Sequence, residues 1–374
     1  MKIGIDAHYL QFANSPGLHQ YTLRLVDGLQ EIDRKNEYLL HFFNWRNRER
    51  EETIKSYPVH PNFKKQICRI PSRALSPLSK LIPISAVLGK VDVLHGPAFR
   101  LLPRGCYKKS VVTIHDLKFI RHPEWHSGGD FMKPTRDAVE RADMIVAVSD
   151  FTRRELIDLF RISSDRIRVI HLGIGKEFTS SLPLQRIEEV KSRHGIKKRY
   201  LFFVGLMEEK KNLIRLVEAF SQVRRSLPES VQLVLAGPHG PATEKVVRTI
   251  TELSLGGEVL LLGAVPREDL PFLYAGAAAF AFPSLHEGFG IPPLEAMASG
   301  IPVVASNVGP LPEVIGEGGL LVDPLKTEAI ADALYNVLTD DRLGEKLRQK
   351  GLERAKAFSW DKMAREMLAL YETL

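Results

Sequence analysis

Strand-length apolar runs that alternate with helical patterns constrain this chain more than any other feature. KIGIDA, YLLHFF, VDVLHG, SVVTIHD, MIVAVSD and RIRVIHL come first, and YLFFVGL, VQLVLAG, EVLLLGAV, AFAFPS, PVVAS and GLLVDP follow a break. Runs of Val, Ile and Leu without polar alternation fit strands buried on both faces, as in a parallel sheet covered by helices. The pattern therefore predicts two successive α/β units. At 374 residues the chain exceeds what one hydrophobic core usually fills, in agreement with that division. The break falls in the polar stretch KEFTSSLPLQRIEEVKSRHGIKKRY, residues 176–200. We place the boundary near 180–198, giving a first domain over 1–180 and a second over 181–359. The final FSWDKMAREMLALYETL predicts an amphipathic helix, with Met363, Met367 and Leu370 at helical spacing. This helix, 360–374, is expected to pack back on the first domain.

Several function classes are excluded early. The two cysteines, Cys68 and Cys106, make neither a disulfide framework nor a metal-ligand pattern, so a reducing, cytoplasmic setting is expected. The N-terminal MKIGIDAHYL lacks the features of a secretory signal, and no segment reaches the length of a membrane span. Neither half carries Gly-x-Gly-x-x-Gly after its first strand or a P-loop, which argues against a dinucleotide dehydrogenase and a P-loop kinase. The formal charge of +7 is uneven: residues 1–178 hold 29 Lys+Arg against 20 Asp+Glu, and 179–374 hold 23 against 25. The basic stretch NFKKQICRIPSR, 62–73, could meet lipid phosphates or an anionic membrane surface. No nucleic-acid-binding motif accompanies it, so nucleic acid is not an expected partner.

Open parallel sheets bind ligands beyond the C-terminal ends of their strands, and two such sheets facing one another make a cleft. The segment HEGFGIPPLEAMASG, 286–300, lies in that kind of position. AFAFPS is a strand, Gly288 and Gly290 make a turn, and Pro292-Pro293 starts a helix that Gly300 ends. A helix N-terminus reached through glycines presents free amides to an anion. Glu295, expected in the first helical turn, could accept hydrogen bonds from vicinal hydroxyls. From spacing alone, a dipole-complementing Glu295 and a solvated Glu287 fit equally well.

The segment HEGFGIPPLEAMASGIPVVAS closely resembles the Glu-x7-Glu motif of the retaining family 4 glycosyltransferases of the GT-B fold. Further anchors are FVGLMEEKKNLIRLVEAF (203–220), VVTIHDL (111–117), ADMIVAVSDFTRREL (142–156) and VIHLGI (169–174), so the resemblance spans nearly the whole chain. It implies two Rossmann-like domains facing across a cleft, with a nucleotide-sugar donor held by the second. It gives Glu295 the donor ribose, and Glu287 with the backbone of Gly288, Phe289 and Gly290 the donor sugar and diphosphate. Lys211, beside Lys210 where relatives commonly carry arginine, matches the cation on the departing diphosphate. Gly205, Gly237, Val265 and Ile291 complete the donor-site candidates, and His115, followed by Asp116, matches the histidine that approaches the transferred sugar. His115, Lys211 and Glu287 are thus the catalytic candidates.

Two positions depart from the family pattern. Leu206 stands where an arginine usually follows the glycine of FVG. At the first strand-to-helix turn, SPGLHQYT keeps Gly17 and Tyr21 but replaces glycine and arginine by His19 and Gln20. The bulkier turn is expected to alter donor or acceptor fit, with His19 a candidate contact. The resemblance implies transfer of a glucose- or mannose-type hexose, from UDP or GDP, to a glycan or lipid-linked acceptor in cell-surface polysaccharide or glycolipid synthesis. No Asp-x-Asp occurs, so no cofactor and no metal are expected. The basic first half suits a protein peripheral to the inner membrane face. A non-catalytic nucleotide-sugar binder and a sugar-nucleotide epimerase are the alternatives, since a fold alone does not fix a function.

Overall fold

A computed structural model describes residues 1–12, 16–44, 47–125 and 131–374. The chain divides into two compact units. One runs from Met1 to Gly173, apart from His122–Trp125, and includes Trp360–Leu374; the other holds His122–Trp125 and Ile174–Ser359.

The first unit is built on seven strands: β1 (Lys2–Asp6), β2 (Glu37–Phe43), β3 (Phe63–Cys68), β4 (Val91–Gly96), β5 (Tyr107–Ile114), β6 (Met144–Ala147) and β7 (Ile167–Val169). They lie in the order β3-β2-β1-β4-β5-β6-β7, all parallel. Ile3 is central, registered with Tyr38 on one side and Val93 on the other. Strand β3 falls in the stretch singled out for its charge. Its interior residues are half-buried or exposed, as befits the sheet's edge, so it lacks the apolar run that marks the other strands. The basic stretch is accordingly not a row of free cations. Lys65 Nζ donates to the carbonyls of Ile54, Lys55 and Tyr57, and Arg69 pairs with Glu51 at 3.0 Å, while Lys64 is exposed.

The second unit has β8 (Arg199–Val204), β9 (Val231–Ala236), β10 (Val259–Gly263), β11 (Ala279–Phe282), β12 (Val303–Ser306) and β13 (Leu320–Val322), in the order β10-β9-β8-β11-β12-β13, again parallel. All six residues of β9 and all four of β11 are buried, which is why these strands read as unbroken apolar runs. The chain winds outward from β8 to β10, then returns to the far side of β8 as β11. The switch point therefore lies between the C-terminal ends of β8 and β11, where a ligand is expected in such sheets.

The helix Trp360–Glu372 packs against the helix Pro16–Ile32 of the first unit, with Met363, Met367 and Leu370 buried. Gly28 makes that approach possible: a Cβ there would stand 2.7 Å from the Cβ of Ala364. The described part of SPGLHQYT is the start of the Pro16 helix rather than a turn, so Gly17, His19 and Tyr21 are helical residues. Proline is preorganised for a first helical position, and the helix propagates from it.

Candidate active site

The loops after β8 and β11 meet at the switch point and carry the charged candidates. After β8 the chain makes a short 3-10 turn, Glu209–Lys211, and then Asn212 in the left-handed region, at φ 58° and ψ 34°. Asparagine tolerates that conformation better than most residues. Its amide ties the two loops together, donating to the carbonyls of Pro283 at 3.0 Å and Pro324 at 2.7 Å, while Leu285 N donates to Lys210 O at 2.7 Å. Lys210, Lys211 and Glu287 are thereby brought together, all buried. Lys211 Nζ donates to Glu287 Oε1 at 2.6 Å and lies 4.7 Å from the centre of the Phe282 ring; Lys210 Nζ is 3.7 Å from Glu287 Oε2.

The electrostatics follow from that packing. Burial works to raise the pKa of Glu287, but Lys210 and Lys211 outweigh it and hold the carboxyl down at about 2. Burial also lowers the pKa of Lys211, an effect that Glu287 opposes and Lys210 reinforces. A second carboxylate belongs to the cluster, Glu208, whose Oε1 lies 3.5 Å from Lys210 Nζ, so two ammonium groups are balanced by two carboxylates.

The other donor-site candidates line the same sheet edge. Gly205 follows β8, Gly237 follows β9 and Val265 lies beyond β10. Gly237 has φ 132°, and a Cβ on it would stand 2.0 Å from the carbonyl oxygen of Gly205, so only glycine fits. Gly290 (φ 107°) precedes the helix Ile291–Ala298, which has prolines at its second and third positions. The Phe289 side chain turns into the core, edge-on to Phe358 at 5.8 Å.

Glu295 is the fifth residue of this helix and so lies beyond the first turn, where the sequence reading had put it. It cannot cap the helix. Instead its Oε2 accepts a hydrogen bond from Tyr274 Oη at 2.9 Å, and burial raises its pKa to about 7 against the opposing effect of that bond. Leu206, the departure from the family pattern, is 39% exposed just past β8.

In the first unit His115 follows β5. Its Nε2–H donates to Pro97 O at 2.8 Å, which leaves Nδ1 as the acceptor nitrogen of a neutral ring, and burial lowers its pKa. Tyr21 packs edge-on against it at 4.6 Å. Tyr21 Oη is 2.9 Å from Thr113 Oγ1; Thr113 in turn is 2.8 Å from His95 Nε2, and His95 Nδ1 is 2.6 Å from Tyr371 Oη on the C-terminal helix. Asp116 Oδ1 accepts from Lys118 N at 3.3 Å. His19 Nδ1 lies 3.1 Å from the carbonyl oxygen of Tyr9, and Gly17 is exposed.

Tyr274, Asn212 and the string from Tyr371 to Thr113 were not anticipated. In the sequence Tyr274 and Tyr371 look like any core aromatic, whereas an asparagine directly after two lysines and before a helix is a readable signal for a left-handed turn.

Two parallel-sheet units, with buried lysines paired to glutamates at the second unit's switch point, define the class as a glycosyltransferase of the GT-B fold. The family described as Glycosyl transferases group 1 matches residues 185–354, and Glycosyltransferase Family 4 matches residues 16–178. O-antigen chain mannosyltransferase B of Escherichia coli is 34% identical over 285 residues, covering 75% of this chain and 74% of that protein. The chain thus belongs to the group 1, family 4 glycosyltransferases. The serotype-specific mannosyltransferase WbdA of Escherichia coli is 32% identical over 259 residues, 67% of this chain; the match covers 32% of that protein, about a third of its length. Among solved structures, Anabaena HepE in complex with UDP and glucose superposes with a TM-score of 0.75 at 18% identity, covering 100% of both chains. Among the described residues no helix is long and apolar enough to cross a membrane.

Proposed function

We propose that the chain transfers a hexose, with retention at the anomeric carbon, from a nucleoside diphosphate sugar to a hydroxyl of a glycan or lipid-linked acceptor in cell-surface polysaccharide or glycolipid synthesis. The observation that carries the proposal is the Lys210–Lys211–Glu287 cluster at the β8/β11 switch point. Its two buried ammonium groups can exchange a carboxylate partner for an oxygen of the diphosphate that departs, and such a contact strengthens where water is excluded. Mannose is the first sugar to test, because the relatives described above are mannosyltransferases. GDP and UDP are both to be tried as the carrier, UDP being what the HepE complex holds.

In this reading the bond between the anomeric carbon and the diphosphate oxygen breaks, its electron pair leaving on the diphosphate. The acceptor oxygen bonds to the same face of that carbon, and its proton passes to a diphosphate oxygen. Lys210 and Lys211 stabilise the leaving group, amides at the start of the Ile291 helix face the anion, and Glu295 takes the ribose hydroxyls. His115 Nδ1 accepts from a hydroxyl of the transferred sugar. The lysines supply the charge that a metal supplies elsewhere, so turnover is expected without one. We also place the protein at the cytoplasmic membrane face, held by anionic lipid against the basic first unit, where Lys80 adjoins the exposed Leu81 and Ile82.

The test is titration calorimetry of GDP and UDP, then transfer from the matching hexose donor in EDTA, with the anomer assigned by NMR. Binding of one nucleotide and an α-linked product from an α-linked donor are expected, with co-sedimentation on anionic liposomes at low salt. Loss of turnover in EDTA restored by magnesium, or an inverted product, would contradict the mechanism. Donor conversion without any acceptor would mark an epimerase, and binding without transfer a non-catalytic binder, which the replacement of arginine by Leu206 favours.

A further inference from the structure

Tyr274 has no place in the mechanism just given, yet three aromatic rings and a hydrogen bond hold it. It lies on the short helix Leu270–Ala275, fully buried. Phe178 packs on its ring at 5.6 Å and 82°, Phe202 at 5.1 Å and 89°, and Phe280 at 5.3 Å and 48°. Two of these contacts are edge-to-face, the geometry aromatic pairs favour, and together they hold the ring on three sides. The phenol is aimed at Glu295 Oε2, 2.9 Å away on a different helix. Among the described residues Tyr274 is the hydrogen-bond donor recorded for Glu295, whose other oxygen receives no protein donor.

A buried carboxylate with one donor is under-satisfied, since each oxygen can accept two hydrogen bonds. A vicinal diol supplies two donors at the spacing of one carboxylate, so the free acceptor capacity of Glu295 matches a ribose. That match depends on the carboxylate's orientation, and the Tyr274 hydroxyl fixes it.

We propose that Tyr274 is the positioning residue of the nucleotide site, holding one oxygen of Glu295 so that the remaining acceptor capacity faces the ribose diol of the donor. This rests on the donor-site reading above. Its pH consequence follows from the groups around Glu295. Tyr274 faces it from the Leu270–Ala275 helix, and Arg267 and Glu177, paired with each other at 3.2 Å, act at longer range. The helix Asp341–Ala355 also packs on the Glu295 helix, with Arg354 turned to the carbonyls of Glu313 and Val314 and Lys350 to Glu317. Burial raises the carboxyl to about 7 and the Tyr274 bond opposes that rise. Removing the hydroxyl moves the titration upward, so nucleotide affinity fails at a higher pH.

The experiment measures affinity for the nucleoside diphosphate that binds, and for its 2′,3′-dideoxy analogue, from pH 5.5 to 9, in wild type, Tyr274→Phe, Glu295→Gln and the double variant. For the ribonucleotide, wild-type affinity is expected to fall as pH drops through about 7, and the dideoxy profile to stay flat. Tyr274→Phe is expected to bind the ribonucleotide roughly tenfold more weakly at pH 7, to stay weaker than wild type at pH 9, where the carboxylate is ionised but no longer oriented, and to leave the analogue unaffected. It should have no further effect once Glu295 is Gln. A Tyr274→Phe profile that matches wild type, or an equal loss for both nucleotides, overturns the inference. Should Tyr274→Phe fail to fold, parallel wild-type profiles still overturn the inference, because Glu295 would then not read the ribose that Tyr274 is proposed to aim it at. If wild type binds no nucleoside diphosphate at any pH, the donor-site reading itself has failed, a result distinct from binding with unaltered profiles.

Discussion

At the residue scale the two glutamates of the motif are opposites. Glu287 is held ionised by two lysines, whereas Glu295 is buried against a phenol and held near neutrality. Their sequence environments contain no trace of that contrast, because Lys211 comes from 76 residues upstream, with Lys210 before it, and the tyrosine from 21. The buried acid has a cost in stability. The pKa of Glu295 lies above its ordinary value of 4.5, so its contribution to the fold is fully present below pH 4.5 and is lost as pH rises through about 7. Replacing it by the uncharged Gln removes that loss. Glu295→Gln is therefore expected to gain on the order of 2–3 kcal/mol over wild type at pH 8 relative to pH 5. Thermal unfolding of the nucleotide-free protein at both pH values measures this. A melting-temperature difference from wild type that is the same at pH 5 and pH 8 would show that Glu295 already ionises freely in the fold.

At the element scale, apolar runs disclosed twelve of the strands, half-buried β7, β10 and β13 among them, and missed β3. β1, β2 and β4 to β13 could be marked because each carries an apolar run, while β3, an edge with Lys64 and Lys65 inside it, carries the composition of a surface. The start of the Pro16 helix was hidden for a related reason: proline and glycine read as turn residues, and here proline opens the helix. The candidate site was legible as far as its position beyond the strand ends. Its wiring was not, since a contact such as His95 to Tyr371 joins residues 276 apart. That contact ties the C-terminal helix into the first unit through polar groups as well as apolar ones. Burial holds His95 neutral, at about 3, so one of its nitrogens must accept and the other donate. Tyr371→Phe would leave Nδ1 without a partner in a fully buried place, at a cost of about 1–3 kcal/mol. Urea unfolding followed by circular dichroism is expected to show a lower midpoint with an unchanged slope. An unshifted midpoint would mean that water reaches His95 when the hydroxyl is gone.

At the scale of the whole molecule, the candidates for donor binding all lie in the unit of β8 to β13, while His115, Tyr21 and Asp116 lie in the unit of β1 to β7. Each sheet has its own helical cover and core, so a ligand held by one unit's loops stabilises that unit directly. A nucleotide at a hundred times its dissociation constant adds about 2.7 kcal/mol to the state that binds it. Hydrogen exchange read by mass spectrometry, with nucleoside diphosphate and without acceptor, is expected to slow in peptides covering 199–212 and 279–299, where the loops after β8 and β11 are tied by Asn212 and Lys211. Peptides covering β1, β4 and β5 are expected to exchange at their nucleotide-free rates. The reason is chemical: in the function proposed above, His115 takes the transferred sugar, which a bare nucleotide lacks. The intact nucleotide sugar should then extend protection to the peptide containing His115 and Asp116. If bare nucleotide slows exchange throughout both units equally, donor binding is coupled to the whole chain, and dividing the work between a donor unit and an acceptor unit is wrong.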